Sequence, residues 1–471
     1  SGSFITNNLT IANGVTLTIR AGEYVEVLNT ATTTGTGKVV VEKGGNFVQR
    51  CNEKIPANGF PYPNIEHTHQ TRTIAPYDYV YWSSPIQEDV KPTLTTAGMG
   101  RMFHWQSGAG GGWRNLSTTA AATFGAGKGF IAWNAGTAPA AFAPKFVGTA
   151  TNGEVNVAVT KQDVYPDESD AAALTTYNNN YNNFALLGNP YACALDARDF
   201  LSHPNNQHLG GTVYVWTSNT RLSNGNITGS GAGVYDAGDY ATYTLTGGAA
   251  ASNTPDYAYG QTSGTTYGNN ASYIADSNRM IYSGSGFFIL VKQNGNAYFS
   301  NEMRSTTGNS KSSFGWALFK DGDKENAVDK AEESRIWLSV RNEEGAYRQL
   351  LLGYFEKATE GFDNYYDGPL YSESQVNIYT KSVNGHALTI QARPESLLDD
   401  NEAVPVVFET KLADDFKITV DLFEGKYRQK DIFLRDKKLN VYHDLSTGAY
   451  NFSSEAGKYE ERFELVTQNK P

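Results

Sequence analysis

The chain has 471 residues, 38 basic and 49 acidic side chains and a formal net charge of −11, with charged residues making up 18%. A field of that sign repels phosphate backbones, and no basic cluster interleaved with aromatics offsets it, so nucleic acid is not expected as a partner. No run approaches the roughly 18 apolar residues of a membrane span, so membrane insertion is not expected either.

The 47 Gly, 29 Tyr and 23 Phe against 4 Met point to an all-β chain. Aromatic side chains suit a pleated, half-buried surface, and Gly supplies the turns between short strands. The two cysteines, Cys51 and Cys193, are too few for a disulfide framework. Whether they pair is open, because spacing alone does not bring two Cα atoms within bonding range.

Residues 4–70 open with short alternating runs, LTI, VTLTI, YVEV and KVVV, separated by Asn13-Gly14, Ala21-Gly22, Gly35-Thr36-Gly37 and Gly44-Gly45. Alternation buries one face and solvates the other. The run-turn-run period of about 20 residues predicts the terminal coils of a parallel β-helix-like stalk. The alternative is an ordinary hairpin pair at the edge of the next domain.

Residues 71–312 read as a duplicated β-sandwich or jelly-roll-like domain. YDYVYWSSP (77–85), GAGKGFIAW (125–133) and KFVGTATNGEVNVAV (145–159) form one half; NNFALLGNPY (182–191), SGSGFFILV (283–291) and AYFSNEMR (297–304) form the other. Each half has an aromatic strand ending at a proline, then a G-x-G-F turn opening another strand. Residues 218–278, polar and Tyr-rich, predict a long surface excursion.

Residues 313–471 carry nine period-2 runs: 335–340, 349–355, 375–380, 387–392, 405–409, 416–423, 431–436, 449–454 and 462–466. They predict a C-terminal β-sandwich. Helical turns are expected at DARDFLSHP (196–204) and KATEGFD (357–363).

Several constellations invite chemistry. Cys193 follows a Gly188-Asn189-Pro190 turn, but no local cysteine-hydrolase signature surrounds it, so a small buried side chain is expected. Asp196 and Asp199 fit a helix N-cap and its third position. His67 and His69 at i, i+2 could share a divalent metal, but a third ligand is not evident and exposed histidines are the expectation.

Asp321, Asp323, Glu325 and Glu332 place oxygen donors at calcium-loop spacing, although Asn326 stands where such loops carry Gly, and a solvated acidic loop is the plainer reading. Asp363 and Asp367 are a second ion candidate. Trp105, Trp113, Trp216, Tyr235, Tyr240 and Tyr243 could stack on sugar rings, Trp216, Tyr235, Tyr240 and Tyr243 forming the candidate ligand set. With no paired carboxylates in a defined setting, triad or phosphate loop, an enzyme is not expected, and no cofactor is expected beyond the calcium that the acidic loop could hold.

In chain order, the motifs Asn46 to Gln49, Tyr79 to Pro85, Gly127 to Phe130, Phe146 to Gly153, Asn183 to Phe200, Gly284 to Phe288, Phe299 to Arg304, Arg335 to Leu338, Gln349 to Tyr354, Tyr366 to Gly368, Ile390 to Arg393 and His443 to Leu465 cover nearly the whole chain. Together they resemble the C-terminal region of large Bacteroidetes cell-surface or secreted proteins exported by the type IX secretion system. The resemblance implies an extracellular or cell-surface location and contact with the secretion machinery through a terminal sorting domain, which this sequence does not contain. It brings no catalytic residues; Cys193 stands where relatives more often carry Ser. The expected function is a non-catalytic structural or adhesive module capping a β-helical stalk and linking it to the sorting domain. Surface glycans or other cell-surface proteins are the expected partners; the alternatives are a glycan-binding adhesin using aromatic loops and, least favoured, a polysaccharide-active enzyme.

Overall fold

The computed structural model describes residues 2–51, 62–88, 94–116, 125–217, 237–251, 279–307 and 333–469, apart from 70, 72, 73, 75, 96, 139, 344, 345, 372, 373, 400 and 401. Strands dominate, and the chain is all-β. The N-terminal segment holds β1 (Phe4–Thr6), β2 (Leu9–Ile11), β3 (Thr16–Ile19), β4 (Tyr24–Val27), β5 (Ala31–Thr33), β6 (Lys38–Val41) and β7 (Asn46–Gln49).

These strands pair in parallel rather than as hairpins. Val25 lies opposite Phe47, Leu9 opposite Ala31 and Thr16 opposite Lys38, each pair 22 residues apart. The chain therefore winds through successive coils of that length, and glycines in the left-handed region turn equivalent corners at Gly22 (φ 78°) and Gly44 (φ 85°). Val25, Val27, Val39, Val41 and Phe47 fill the interior of the stack.

The coil stack runs directly into the next segment. Strand β8 (Asn64–Thr68) adds to β6 in parallel and takes β13 (Lys145–Thr149) antiparallel on its other side, giving the order β3-β6-β8-β13. Along the neighbouring ladder, the Phe47 amide donates to Ala192 O (2.9 Å), the Ala194 amide donates to Asn46 Oδ1 (2.9 Å), and Asn46 Nδ2 donates to Thr306 O (3.1 Å).

The middle segment is two copies of one strand plan. The first repeat comprises β8, β9 (Tyr79–Trp82), β10 (Met99–Gln106), β11 (Gly112–Asn115), β12 (Phe130–Asn134) and β13. The second comprises β14 (Val155–Val159), β15 (Phe184–Gly188), β17 (Leu209–Trp216), β18 (Tyr240–Thr244), β21 (Gly286–Val291) and β22 (Gly295–Phe299), with accessory strands β16 (Ala194–Asp196), β19 (Gly247–Ala249), β20 (Met280–Ile281) and β23 (Arg304–Ser305). Sheet order β11-β10-β12-β9 in the first matches β18-β17-β21-β15 in the second, and the pair β8–β13 matches β14–β22.

The registers agree residue for residue. Phe130 of the first G-x-G-F turn lies opposite Trp82, three residues before Pro85; Phe287 lies opposite Leu187, three before Pro190. Gly127 and Gly284, which open the two turns, both have positive φ (80° and 66°). The copies join reciprocally: Trp82 bridges Ser285, Lys128 bridges Leu187, the Ser83 amide donates to Gly284 O (2.6 Å) and the Gly188 amide donates to Gly127 O (2.9 Å). This is a pseudo-two-fold relation within one chain, with Ser83 and Gly188 at its centre.

The C-terminal segment holds β24 (Ser334–Arg341), β25 (Tyr347–Phe355), β26 (Gly368–Pro369), β27 (Val376–Lys381), β28 (Ala387–Pro394), β29 (Ala403–Thr410), β30 (Asp414–Phe423), β31 (Lys430–Asp436), β32 (Val441–Asp444), β33 (Tyr450–Ser454) and β34 (Gly457–Asn469). All nine expected runs are strands of one sheet, ordered β32-β31-β34-β29-β27-β28-β25-β24-β30-β33, wrapped round Ile336, Leu338, Leu350, Phe408 and Phe463. Its other face also packs: Trp337, Leu351 and Ile390 join the core of the second repeat, and Trp337 Nε1 donates to Gly248 O (2.9 Å).

Two local expectations need correction. Residues 357–363 form no helix; the Asp363 carboxylate instead accepts from the Thr359 amide (2.6 Å) and hydroxyl (2.9 Å), fixing a turn. The helices among the described residues include α1 (Ala171–Asn179), capped by Asp170, α2 (Ala197–Ser202), capped by Asp196 as expected, and α3 (Glu395–Asp399). Nor is 218–278 a continuous excursion: β18 and β19 lie inside it, with Ala241, Tyr243 and Ala249 in the core, because β18 completes the second repeat's sheet.

Candidate functional site

Strand alternation builds an aromatic belt along the outer faces of both repeats. On β9, Val80 and Trp82 enter the first core, so Tyr79 and Tyr81 face the other way. By the same rule β12 turns out Ile131, β15 Phe184 and Leu186, β21 Phe288 and Leu290, and β17 Tyr214 and Trp216. The hairpin β10–β11, whose β10 strand shifts register against β12 between Gly100 and Phe103, contributes Phe103, Trp105 and Trp113.

The belt is continuous across the repeats. Tyr81 stacks on Trp216 at 5.9 Å, and its hydroxyl lies 2.7 Å from that of Tyr240. Phe288 receives the edge contacts of Trp105 (5.1 Å) and Trp113 (5.9 Å), and Trp105 Nε1 donates to Phe184 O (2.9 Å). Tyr371 from the C-terminal segment closes one end against Tyr214 (4.9 Å) and Tyr240 (5.1 Å). Elsewhere the belt reaches solvent: Tyr181 is 57% exposed beside Trp105, and near the start of β10, away from Trp105, the Arg101 guanidinium sits 4.7 Å from the Trp133 ring centre.

Burial holds the Tyr214 phenol above its ordinary ionisation range, so it stays a neutral hydrogen-bonding group. Flat apolar faces edged with neutral donors and a guanidinium suit stacking and hydrogen bonding rather than proton transfer.

The candidate ligand residues divide. Trp216 (7% exposed) is an interior member of the belt, Tyr240 is half-buried within it, and Tyr243 (1% exposed) lies in the opposite core. Tyr235 lies outside the described residues. Trp105 and Trp113 do belong, but Tyr79, Tyr81, Phe103 and Phe288 were missed. The pattern YVYW carried the signal for the first two, since Trp82 inside requires Tyr81 outside.

Asp321, Asp323, Glu325 and Glu332 lie outside the described residues. Asp363 and Asp367 are loop-building groups: the Asp367 carboxylate accepts from the amides of Ala392 and Asp363 (both 2.7 Å), and burial pushes its pKa up to about 8. Among the described residues, no group of three or more His, Cys, Asp or Glu could hold a metal ion.

His67 and His69 are buried, not exposed as expected, and their rings stack at 4.3 Å. His69 packs under Phe146, Trp82 and the Gly284 turn, and His67 stacks on it, because β8 is an inner strand of its sheet. Desolvation lowers the His67 pKa to about 3 and depresses that of His69 as well.

Cys51 and Cys193 are both free. Cys193 is fully buried, with Arg304 Nε 3.3 Å from its sulfur. That guanidinium also donates to Asn152 Oδ1 (2.9 Å), Asn301 Oδ1 (2.9 Å) and Phe47 O (2.8 Å) and covers the Tyr191 ring. Asp196 caps α2 through the amide of Arg198 (2.9 Å) and pairs with Arg279 (2.6 Å), while Asp199 is exposed. The GNPYAC stretch thus forms the joint between the coils and the second repeat.

Together these features define an all-β protein in which parallel coils run into a duplicated pair of sheets with a shared aromatic face. The chain belongs to DUF8693, a family described as a domain of unknown function, whose model matches residues 2–466. No curated protein and no solved structure matches it.

Proposed function

We propose that the chain is a non-catalytic structural module of a large secreted surface protein, of the kind exported by the type IX system, and that it terminates a stalk of parallel β-coils. The observation that carries this reading is the sheet β3-β6-β8-β13, in which the coil ladder ends on an antiparallel strand of the first repeat. An open parallel ladder is a template for uncontrolled pairing, and coil stacks need a distinct terminal unit. The order of sequence motifs supports the secretion route, and many of those motifs lie at joints: Asn46 to Gln49 at the coil end, Tyr79 to Pro85 at the repeat axis, and Arg335 to Leu338 where the C-terminal sheet packs on the second repeat.

Inserting a second copy of residues 25–46 between Asn46 and Phe47 tests this. A capped stack accepts another coil, so the lengthened chain remains monomeric in sedimentation and gains β signal in circular dichroism. Aggregation, or no gain in ordered strand, counts against the reading.

A second reading is glycan binding where the aromatic belt reaches solvent around Trp105, favoured by Tyr181 and Trp113. Saturable binding on a glycan array, lost in Trp113→Ala and Tyr181→Ala, would establish it; an array without hits would remove it.

A further inference from the structure

The pseudo-two-fold relation makes β14 the counterpart of β8. Both are first strands of their repeat, and each pairs antiparallel with the last strand, β13 or β22. On its other side β8 receives β6 in parallel. Among the described residues, β14 pairs with β22 alone, so the edge equivalent to the coil-accepting edge of β8 carries no strand.

That edge lacks the usual protections. Its sequence, Val155-Asn156-Val157-Ala158-Val159, contains no charge and no proline, and its register against β22 has no bulge. Val157 and Val159 anchor the core, whereas Asn156 and Ala158 are exposed. At the opposite border of the same pair, β22 is closed by Asn206, whose carboxamide bonds both the amide (2.8 Å) and the carbonyl (2.9 Å) of Tyr298. One border is finished by a side chain; the other carries no strand among the described residues.

We propose that the free edge of β14 is a strand-addition site for an extended segment of another protein, which pairs in parallel as β6 pairs with β8. The segment this edge fits has β-branched apolar residues continuing the row of Val157 and Val159 and is polar on the side of Asn156 and Ala158, as β6 is. The coil of a second copy does not fit in this mode. With the core faces of both sheets on the same side, as in the β6–β8 pair, parallel pairing joins a left edge to a right edge. The edge of β3 that carries no strand among the described residues has the same hand as that of β14, because β3, β6 and β8 run parallel in one stack. The site is independent of the proposed capping role, which concerns β8.

The probe is a synthetic peptide of residues 36–43, TGKVVVEK, the strand that β8 accepts, added in millimolar excess to the full chain. Amide hydrogen exchange at Val155–Val159 is expected to slow saturably. The protection is expected to vanish in the Asn156→Lys/Ala158→Lys chain, whose fold is checked by circular dichroism. It should also vanish with the peptide N-methylated at alternate residues in one register and survive in the other. No slowing at these amides, slowing confined to other edges, or slowing indifferent to both changes overturns the proposal. So does concentration-dependent self-association that protects the same amides without peptide, since that would make the occupant a second copy. The coil-insertion experiment reads a different strand, so either idea can fail alone.

Discussion

Ser83 and Gly188 occupy the same position in the two repeats, two residues before the proline, and face each other across the pseudo-two-fold centre. A Cβ built on Gly188 would overlap the Ser83 side chain and come within 3.0 Å of Ser285 O. Two equivalent residues at such a centre cannot both carry a side chain.

Gly188→Ala is therefore expected to destabilise the protein by about 1–3 kcal/mol through overpacking. Ser83→Gly in the same chain should recover part of the loss, because it vacates the overlapped space. Urea denaturation of the two single variants and the double variant reads the coupling; independent, additive effects would contradict the pairing.

The buried imidazoles make stability pH-dependent with a defined sign. His67 has a folded pKa of about 3, below the unfolded value near 6.5. Its neutral form therefore contributes fully above pH 6.5, and that contribution declines as pH falls towards 3, by about 2 kcal/mol at pH 5. His69 acts in the same direction. The slope of unfolding free energy between pH 7 and 5 should flatten in His67→Gln/His69→Gln relative to the parent, whatever the absolute stability of the variant.

Cys193 should be chemically silent and Cys51 reactive. An aromatic disulfide reagent is expected to label only Cys51 in the native chain, since Cys193 is fully buried and Cys51 is partly exposed. Cys193→Ser should cost little. Arg304→Leu should cost about 3–5 kcal/mol, because it leaves buried acceptors on Asn152, Asn301 and Phe47 without their donor. Rapid native labelling of Cys193 would contradict this placement.

The C-terminal sheet and the second repeat should unfold together. A Cβ on Gly211 would overlap the Tyr365 backbone, and the Leu245 amide donates to Tyr365 O (2.7 Å). Gly211→Ala and Trp337→Ala, the latter removing about 3–5 kcal/mol of packing, should each expose the 359–367 loop to limited proteolysis. Unchanged cleavage in both variants would mean that this contact does not hold the two parts together.

Local signals located most strands. Period-2 runs such as RIWLSV, QLLLGYF and FKITVDLF survive in the fold because alternation directly encodes which side chains meet a core. The Asp196 cap was legible for the same reason, a short-range match of side chain to amide. Helix α1 was missed because its sequence, AAALTTYNN, buries only Leu174 and Tyr177 and carries little periodic signal. Strands β18 and β19 were hidden in a Tyr- and Gly-rich stretch whose burial depends on partners far away in sequence.

The amino-acid sequence alone thus determined the all-β class, the strand set and the repeated G-x-G-F turn, since each follows from interactions within a few residues. The parallel registers of the coils, the reciprocal docking at Ser83 and Gly188, the burial of His67 and His69 and the gathering of Tyr81, Trp216 and Phe288 into one belt were decided only in three dimensions. These depend on which sheet edge meets which, and pairings between residues tens to hundreds of positions apart leave no periodic trace in a single chain.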